Sequence, residues 1–147
     1  MTVRVASLHV ARERKSPIVA VHRVEAEAGR GLVGDRHHGT RHRHVSVQSR
    51  DDLDAAAAVL GAPVTPEGTR RNLTLDHGPV PTEPGARLVV GDVVLEVVRR
   101  AAPCRVMEDT VGPGAGRALH GRGGAICRVL GSGTITVGDE VELPDAA

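Results

Sequence analysis

No phenylalanine, tyrosine or tryptophan occurs in the sequence. A core without rings has to be assembled from Val, Leu, Ile and Ala, and the valine-rich balance favours strands, because β-branched side chains pack well on a pleated surface. The same absence weighs against a single-stranded nucleic-acid platform, where bases stack on aromatic faces. Charge of one sign is also lacking: 19 basic residues against 18 acidic ones leave a formal net charge of +1. Interspersed signs create no global field to recruit nucleic acid or an anionic membrane. No run approaches the roughly 18 apolar residues of a membrane-crossing helix. The opening MTVRVASLHVARER lacks the apolar segment of a secretory leader, so the expected location is the cytoplasm. Cysteine is scarce, and the two present, Cys104 and Cys127, are expected to be reduced rather than paired.

What is there reads as strands. A chain of 147 residues fits one domain, 1–147, with enough length to bury a core without staples. Period-two alternation predicts strands in TVRVASLHV (2–10) and IVAVHRVEA (18–26), with shorter ones in HVSVQ (44–48), RNLTL (71–75) and AICRVL (125–130). RLVVGDVVLEVVRR (87–100) has a hairpin pattern around Gly91-Asp92, and TITVGDEVEL (134–143) repeats it, as two similar turns in one sheet system. A single helix is predicted, in SRDDLDAAAAVLG (49–61): Ser49 caps it, acids fill its first turn, and Gly61 with Pro63 stops it. Residues 27–44 and 107–124 read as long glycine-rich loops, and 62–70 as loop. Many short strands, one main helix and glycine corners predict a mainly β fold, a closed or nearly closed β-barrel.

Four segments carry groups capable of chemistry. GLVGDRHHGTRHRH (31–44) sets Asp35 and Arg36 beside four histidines, His37, His38, His42 and His44. An anion-binding surface, a metal site and a solvated polar loop all fit that composition, although the spacing matches no zinc pattern. His44, which opens a strand, is the one expected to point inward. In TRRNLTL, Arg70 and Arg71 present fork-shaped donors and Asn72 both donor and acceptor groups. In HGRGGAICRVL, glycines let backbone approach a ligand, with Arg122 and Arg128 as possible anion clamps. It is not a Walker loop, since Lys-Ser/Thr is missing and a strand follows. Cys127, mid-strand, reads as buried filler. Cys104, in VVRRAAPCRV, stands where Pro103 ends a strand. A lone cysteine is commonly a small buried hydrophobe, but Arg99, Arg100 and Arg105 lie beside it in sequence, and cations favour the nucleophilic, metal-binding thiolate.

In order, VASLHV, GLVGDRHHG, RHVSVQ, RRNLTL, GARLVVGDVVLEV, APCRV, GRGGAICRVL and GSGTITVGDEVEL resemble a MOSC domain, the module named after the C-terminal part of molybdenum-cofactor sulfurases. The resemblance implies a pyruvate-kinase-barrel-like fold, here as a standalone domain, that binds the molybdenum cofactor (molybdopterin) or handles sulfur for it. It assigns Cys104 as catalytic residue and molybdenum ligand, or as sulfur carrier. It further implies a pterin and phosphate pocket drawn from Gly34, Asp35, Arg36, Arg71, Asn72, Arg122, Gly123 and Gly124, with His37, His44 and Arg128 as further cofactor-binding candidates. Implied activities are reduction of N-oxygenated small molecules with electrons from a separate electron-transfer protein, sulfur transfer from a sulfur-donor protein through a Cys104 persulfide, or cofactor delivery without turnover. Neither nucleic acid nor membrane is expected as a partner.

Overall fold

The computed structural model describes residues 2–103 and 105–144. Among them, strands β1 (Val3–Val10), β2 (Val19–Val21), β3 (Arg23–Glu27), β4 (Gly31–Leu32) and β5 (Val45–Ser49) come first. Helices α1 (Arg50–Leu60) and α2 (Pro66–Thr69) follow, then β6 (Leu73–Leu75), β7 (Arg87–Val90) and β8 (Val93–Arg100). Helices α3 (Val106–Thr110) and α4 (Ala115–Ala118) precede β9 (Ala125–Gly131), β10 (Gly133–Thr136) and β11 (Glu140–Glu142).

The main sheet runs β11-β7-β8-β9-β5-β6-β1-β2, and β11 also pairs with β1, so seven strands close into a barrel with β2 appended outside the ring. Only β5 and β6 run parallel within that ring; its other pairings are antiparallel. A smaller sheet, β10-β3-β4, completes the β structure. The barrel interior is aliphatic, as a ring-free composition requires: Val5, Leu8, Val47, Leu73, Leu75, Leu88, Leu95, Val97 and Val129 are all buried in one cluster. Cys127 belongs to it with no exposed surface, and burial pushes its thiol pKa up to about 12, so it is inert filler.

Helix α1 forms where its signals lie. The Ser49 hydroxyl accepts the Asp52 N–H at 3.2 Å, and Gly61 closes the helix with φ of 76°. Its buried face, Leu53 and Ala56, packs on Met107, Ala115, Ala118 and Leu119 in a second apolar cluster.

Four readings of the sequence change. The segment 107–124 is not one loop: it holds most of α3 and all of α4, which are too short for periodicity to reveal. Packing against α1 supports them, and the Glu108 carboxylate accepts N–H groups of Gly114 and Gly116 at 2.8 and 3.1 Å. PEGT likewise forms α2, capped by the Thr65 hydroxyl on Gly68 N–H at 3.1 Å. The strand foreseen across 18–26 splits at His22, so that β2 joins the barrel sheet and β3 the smaller one. The two Gly-Asp turns also differ. Gly91-Asp92 joins the paired strands β7 and β8, whereas Gly138-Asp139 carries the chain from the small sheet into the barrel. There the Asp139 carboxylate accepts the Thr136 N–H at 2.8 Å and Val5 accepts the Gly138 N–H at 2.8 Å.

Candidate functional site

The loop between β4 and β5 is held by Asp35. Its carboxylate, 5 % exposed, accepts N–H groups from Ala11 at 3.0 Å and His37 at 3.2 Å and the Asn72 amide at 3.3 Å. Arg36 N–H donates to the Ala11 carbonyl at 2.7 Å, leaving the Arg36 side chain exposed. Asn72 is equally engaged. Its Oδ1 accepts Ser46 N–H and Oγ–H at 3.0 and 3.1 Å, its own N–H reaches Ser46 Oγ at 3.0 Å, and Nδ2 donates to the His9 carbonyl at 3.0 Å. Asp35 and Asn72 therefore fasten β1, β5 and β6 to the loop from below and do not offer their polar atoms outward.

His44 is similarly absorbed by the fold. Its ring is buried, Nδ1 lies 2.9 Å from Val129 N–H and Nε2 lies 2.7 Å from the Thr40 carbonyl. An amide N–H can only donate and a carbonyl only accept, so the ring is neutral with its proton on Nε2. Burial holds its pKa below the ordinary value, partly offset by the Thr40 bond.

A pocket of about 220 Å³ is lined by Arg14, Lys15, Arg36, Arg43, Arg70 and Arg71, with Thr69 and Val106. Six cations and no carboxylate make its lining strongly electropositive. Arg71, 4 % exposed, donates from Nη2 to the Ala102 carbonyl at 2.8 Å, and Arg70 from Nη2 to the Ser16 carbonyl at 2.8 Å. His37 registers the field. Its pKa falls from 6.5 to about 4, first through burial, then through Arg36 and Arg43, with Asp35 opposing.

Cys104 lies outside the described residues. Its described neighbours border two cavities: Val106 lines the cationic pocket, and Pro103 lines one of about 150 Å³ with Arg100, Ala101, Ala102, His120 and Gly121. A larger cavity of about 690 Å³ beside β11 and β7 is lined by Asp92, Glu140 and Glu142 without any cation, the wrong sign for a phosphate.

The expected site residues thus separate. Arg36 and Arg71 meet in the pocket. Arg122 instead donates from Nη1 to the Ala118 carbonyl at 3.0 Å, and Arg128 pairs with Glu96 across β8 and β9 on the barrel exterior. Gly34 adopts φ of 89° in open space. Gly123 and Gly124 are wedged against the backbones of Ala101 and Val47. The histidines form no metal site: among the described residues no group of three His, Cys, Asp or Glu side chains is placed to hold an ion, and His38 pairs with Glu27 at 2.7 Å. Sequence reasoning passed over Arg14, Lys15 and Arg43. The first two lie in the basic run RERK directly after β1, which was the available signal.

The sequence profile of the MOSC domain matches residues 34–142. The chain belongs to the MOSC domain family. MOSC domains are associated with molybdenum-cofactor-binding proteins. Solved structures share the fold. The YuaD protein from Bacillus subtilis superposes with a TM-score of 0.83 at 20 % identity, over 96 % of this chain and 94 % of that one. YiiM from Geobacillus stearothermophilus gives 0.74 at 18 % identity, over 97 % and 75 %, and YiiM from Escherichia coli 0.74 at 17 %, over 100 % and 71 %. No curated protein matches the sequence. Among the described residues no helix is long and apolar enough to cross a membrane.

The MOSC pocket fits one part of a molybdopterin. At about 220 Å³ it falls below the ~300–1,000 Å³ that encloses a whole small ligand. Its guanidinium forks match a phosphate bidentately. The phosphate end is therefore the part whose charge and shape this lining matches. His37 makes the field measurable. Because its folded pKa lies below the ordinary value, the unfolded chain binds more protons between about pH 4 and 6.5, so stability falls as pH drops through that window. The half-buried ring limits the effect to the order of 1 kcal/mol. An NMR titration of the cofactor-free protein should show the His37 midpoint near 4 and should move it upward when phosphate is added. A midpoint near 6.5 would show that burial and the Arg36 and Arg43 charges do not act on this ring.

Proposed function

We propose that this MOSC domain binds the molybdenum cofactor with its phosphate in the cationic pocket and Cys104 as the metal's protein ligand, and that it serves the reduction of an N-oxygenated small molecule. The observation that carries the reading is the junction of the pocket with the Cys104 segment: Val106 lines the pocket, and the Arg71 guanidinium inside it grips the Ala102 carbonyl. Arg71 would then hold the phosphate and the chain that presents the thiol at once. Arg36 and Arg43 would complete the anion clamp, and the neutral His37 beside them would add a donor or acceptor without adding charge. Arg99, Arg100 and Arg105, flanking Cys104 in sequence, favour its thiolate form. When bound, the molybdenum group would supply the redox chemistry. Converting N–OH to N–H takes up two electrons and two protons and releases water, so a separate electron-transfer protein is needed as donor.

Molybdenum content decides it. Protein purified from a cofactor-competent host should carry near-stoichiometric molybdenum by mass spectrometry, and Cys104→Ala should carry less than about a tenth of that, a loss of roughly 1.4 kcal/mol or more in metal binding. Equal molybdenum in both proteins overturns the ligand role. Protein without metal that gains one sulfur on Cys104 from a cysteine desulfurase would replace this reading with that of a sulfur carrier.

A further inference from the structure

The cationic pocket holds more positive charge than the phosphate assigned to it requires. A phosphate monoester carries about −1.5 to −2 at neutral pH, against four cationic side chains in the lining, Arg14, Lys15, Arg36 and Arg70, besides Arg43 and Arg71, which have further partners. Asp35, the acid next to Arg36 in the β4–β5 loop, is directed into Ala11, His37 and Asn72. The cations also come from separate parts of the chain. Arg36 and Arg43 belong to the β4–β5 loop, whereas Arg14 and Lys15 stand in the β1–β2 connection and Arg70 at the end of α2. The second set behaves as one unit, because Arg70 Nη2 grips the Ser16 carbonyl at 2.8 Å.

Backbone conformation supports a purpose for that second set. Only two non-glycine residues among those described have positive φ, Lys15 at 62° and Arg70 at 58°, and both line this pocket. The left-handed region disfavours residues with a Cβ, and at a helix C-cap such as Arg70 glycine is the common choice. Twice, then, a cationic side chain stands where glycine would relax the backbone. Strain of this kind persists where the side chain is needed.

We infer that the pocket holds two phosphate-class anions side by side, the second on Arg14, Lys15 and Arg70. The inference rests on the proposed cofactor reading for the identity of the first anion only. The second anion comes either from a diphosphate within a dinucleotide form of the cofactor or from a phosphate on the substrate.

Calorimetric titration of the cofactor-free protein with inorganic phosphate and with pyrophosphate tests the paired site. At low salt pyrophosphate should bind at least tenfold more tightly. Lys15→Gly, which keeps the left-handed turn, should bring pyrophosphate affinity down at least fivefold and raise the melting temperature. Equal affinity for the two anions, or pyrophosphate binding unmoved by Lys15→Gly, overturns the inference. Acid hydrolysis of the cofactor extracted from the holoprotein separates the sources: released nucleoside monophosphate assigns the second anion to the cofactor, and its absence assigns it to the substrate. Protein lacking molybdenum would defeat the functional proposal and leave the pyrophosphate result standing.

Discussion

Gly124→Ala should leave essentially no folded protein. An added Cβ would lie 1.8 Å from the Val47 carbonyl oxygen and 2.9 Å from its carbon, and the residue has φ of 81°. Neither neighbour can yield. Val47 pairs with both Ala125 and Leu73 in the barrel wall, and Gly124 itself accepts the Ala101 N–H at 2.9 Å. Relieving the overlap means parting β9 from β5, at a cost above about 4 kcal/mol against a total stability of roughly 5–15 kcal/mol. Gly121→Ala is the internal control: φ is 73° there too, but nothing lies within 4 Å of the new atom. It should lose only the backbone term, about 1 kcal/mol. Denaturant midpoints and soluble yield report both, and a Gly124→Ala protein as stable as Gly121→Ala would show that the contact is not rigid.

Asn72→Ala should be the next most damaging change, at about 3–5 kcal/mol. It strips the buried Ser46 N–H and the His9 carbonyl of their side-chain partner and removes a donor from Asp35. Each buried group left without a partner costs about 1–3 kcal/mol. Asn72→Asp should be at least as severe near neutral pH, because a second carboxylate would stand where Nδ2 now lies 3.3 Å from Asp35. Acidification should recover part of that loss, since protonating either acid removes the repulsion. Thermal melts of the cofactor-free protein measure this directly. A role confined to cofactor binding predicts instead an unchanged melting temperature without cofactor.

These two residues also show how far the sequence could be read. Both stood out as ligand contacts, Gly124 for amides that approach a phosphate and Asn72 for its amide in a basic strand. The structure gives each a role in joining strands, and composition cannot distinguish glycine kept for a ligand from glycine kept for a neighbouring backbone. The barrel itself was legible, because alternation of Val and Leu is local and its period is unmistakable. Helix α1 was legible for the same reason, through Ser49 and Gly61. What escaped depends on distance in sequence: the pairing of β11 with β1, the short helices α3 and α4 supported by α1, and the meeting of Arg14 and Lys15 with Arg43 and Arg70. Arg128 shows the converse, a cation beside a suspected site that is engaged by Glu96 one strand away.

A ring of seven strands cannot alternate direction all the way round. Parity demands an odd number of like-directed neighbours, and here β5 and β6 are the one such pair. Like-directed neighbours cannot be joined by a tight turn; the chain must travel back the length of the barrel before re-entering. Helices α1 and α2 are that return journey, and it ends at Arg70, Arg71 and Asn72. An eighth strand in the ring would permit full alternation, remove the need for the detour and deprive the pocket of the residues it delivers. The odd count thus links the arithmetic of closure to the place where this protein gathers its positive charge.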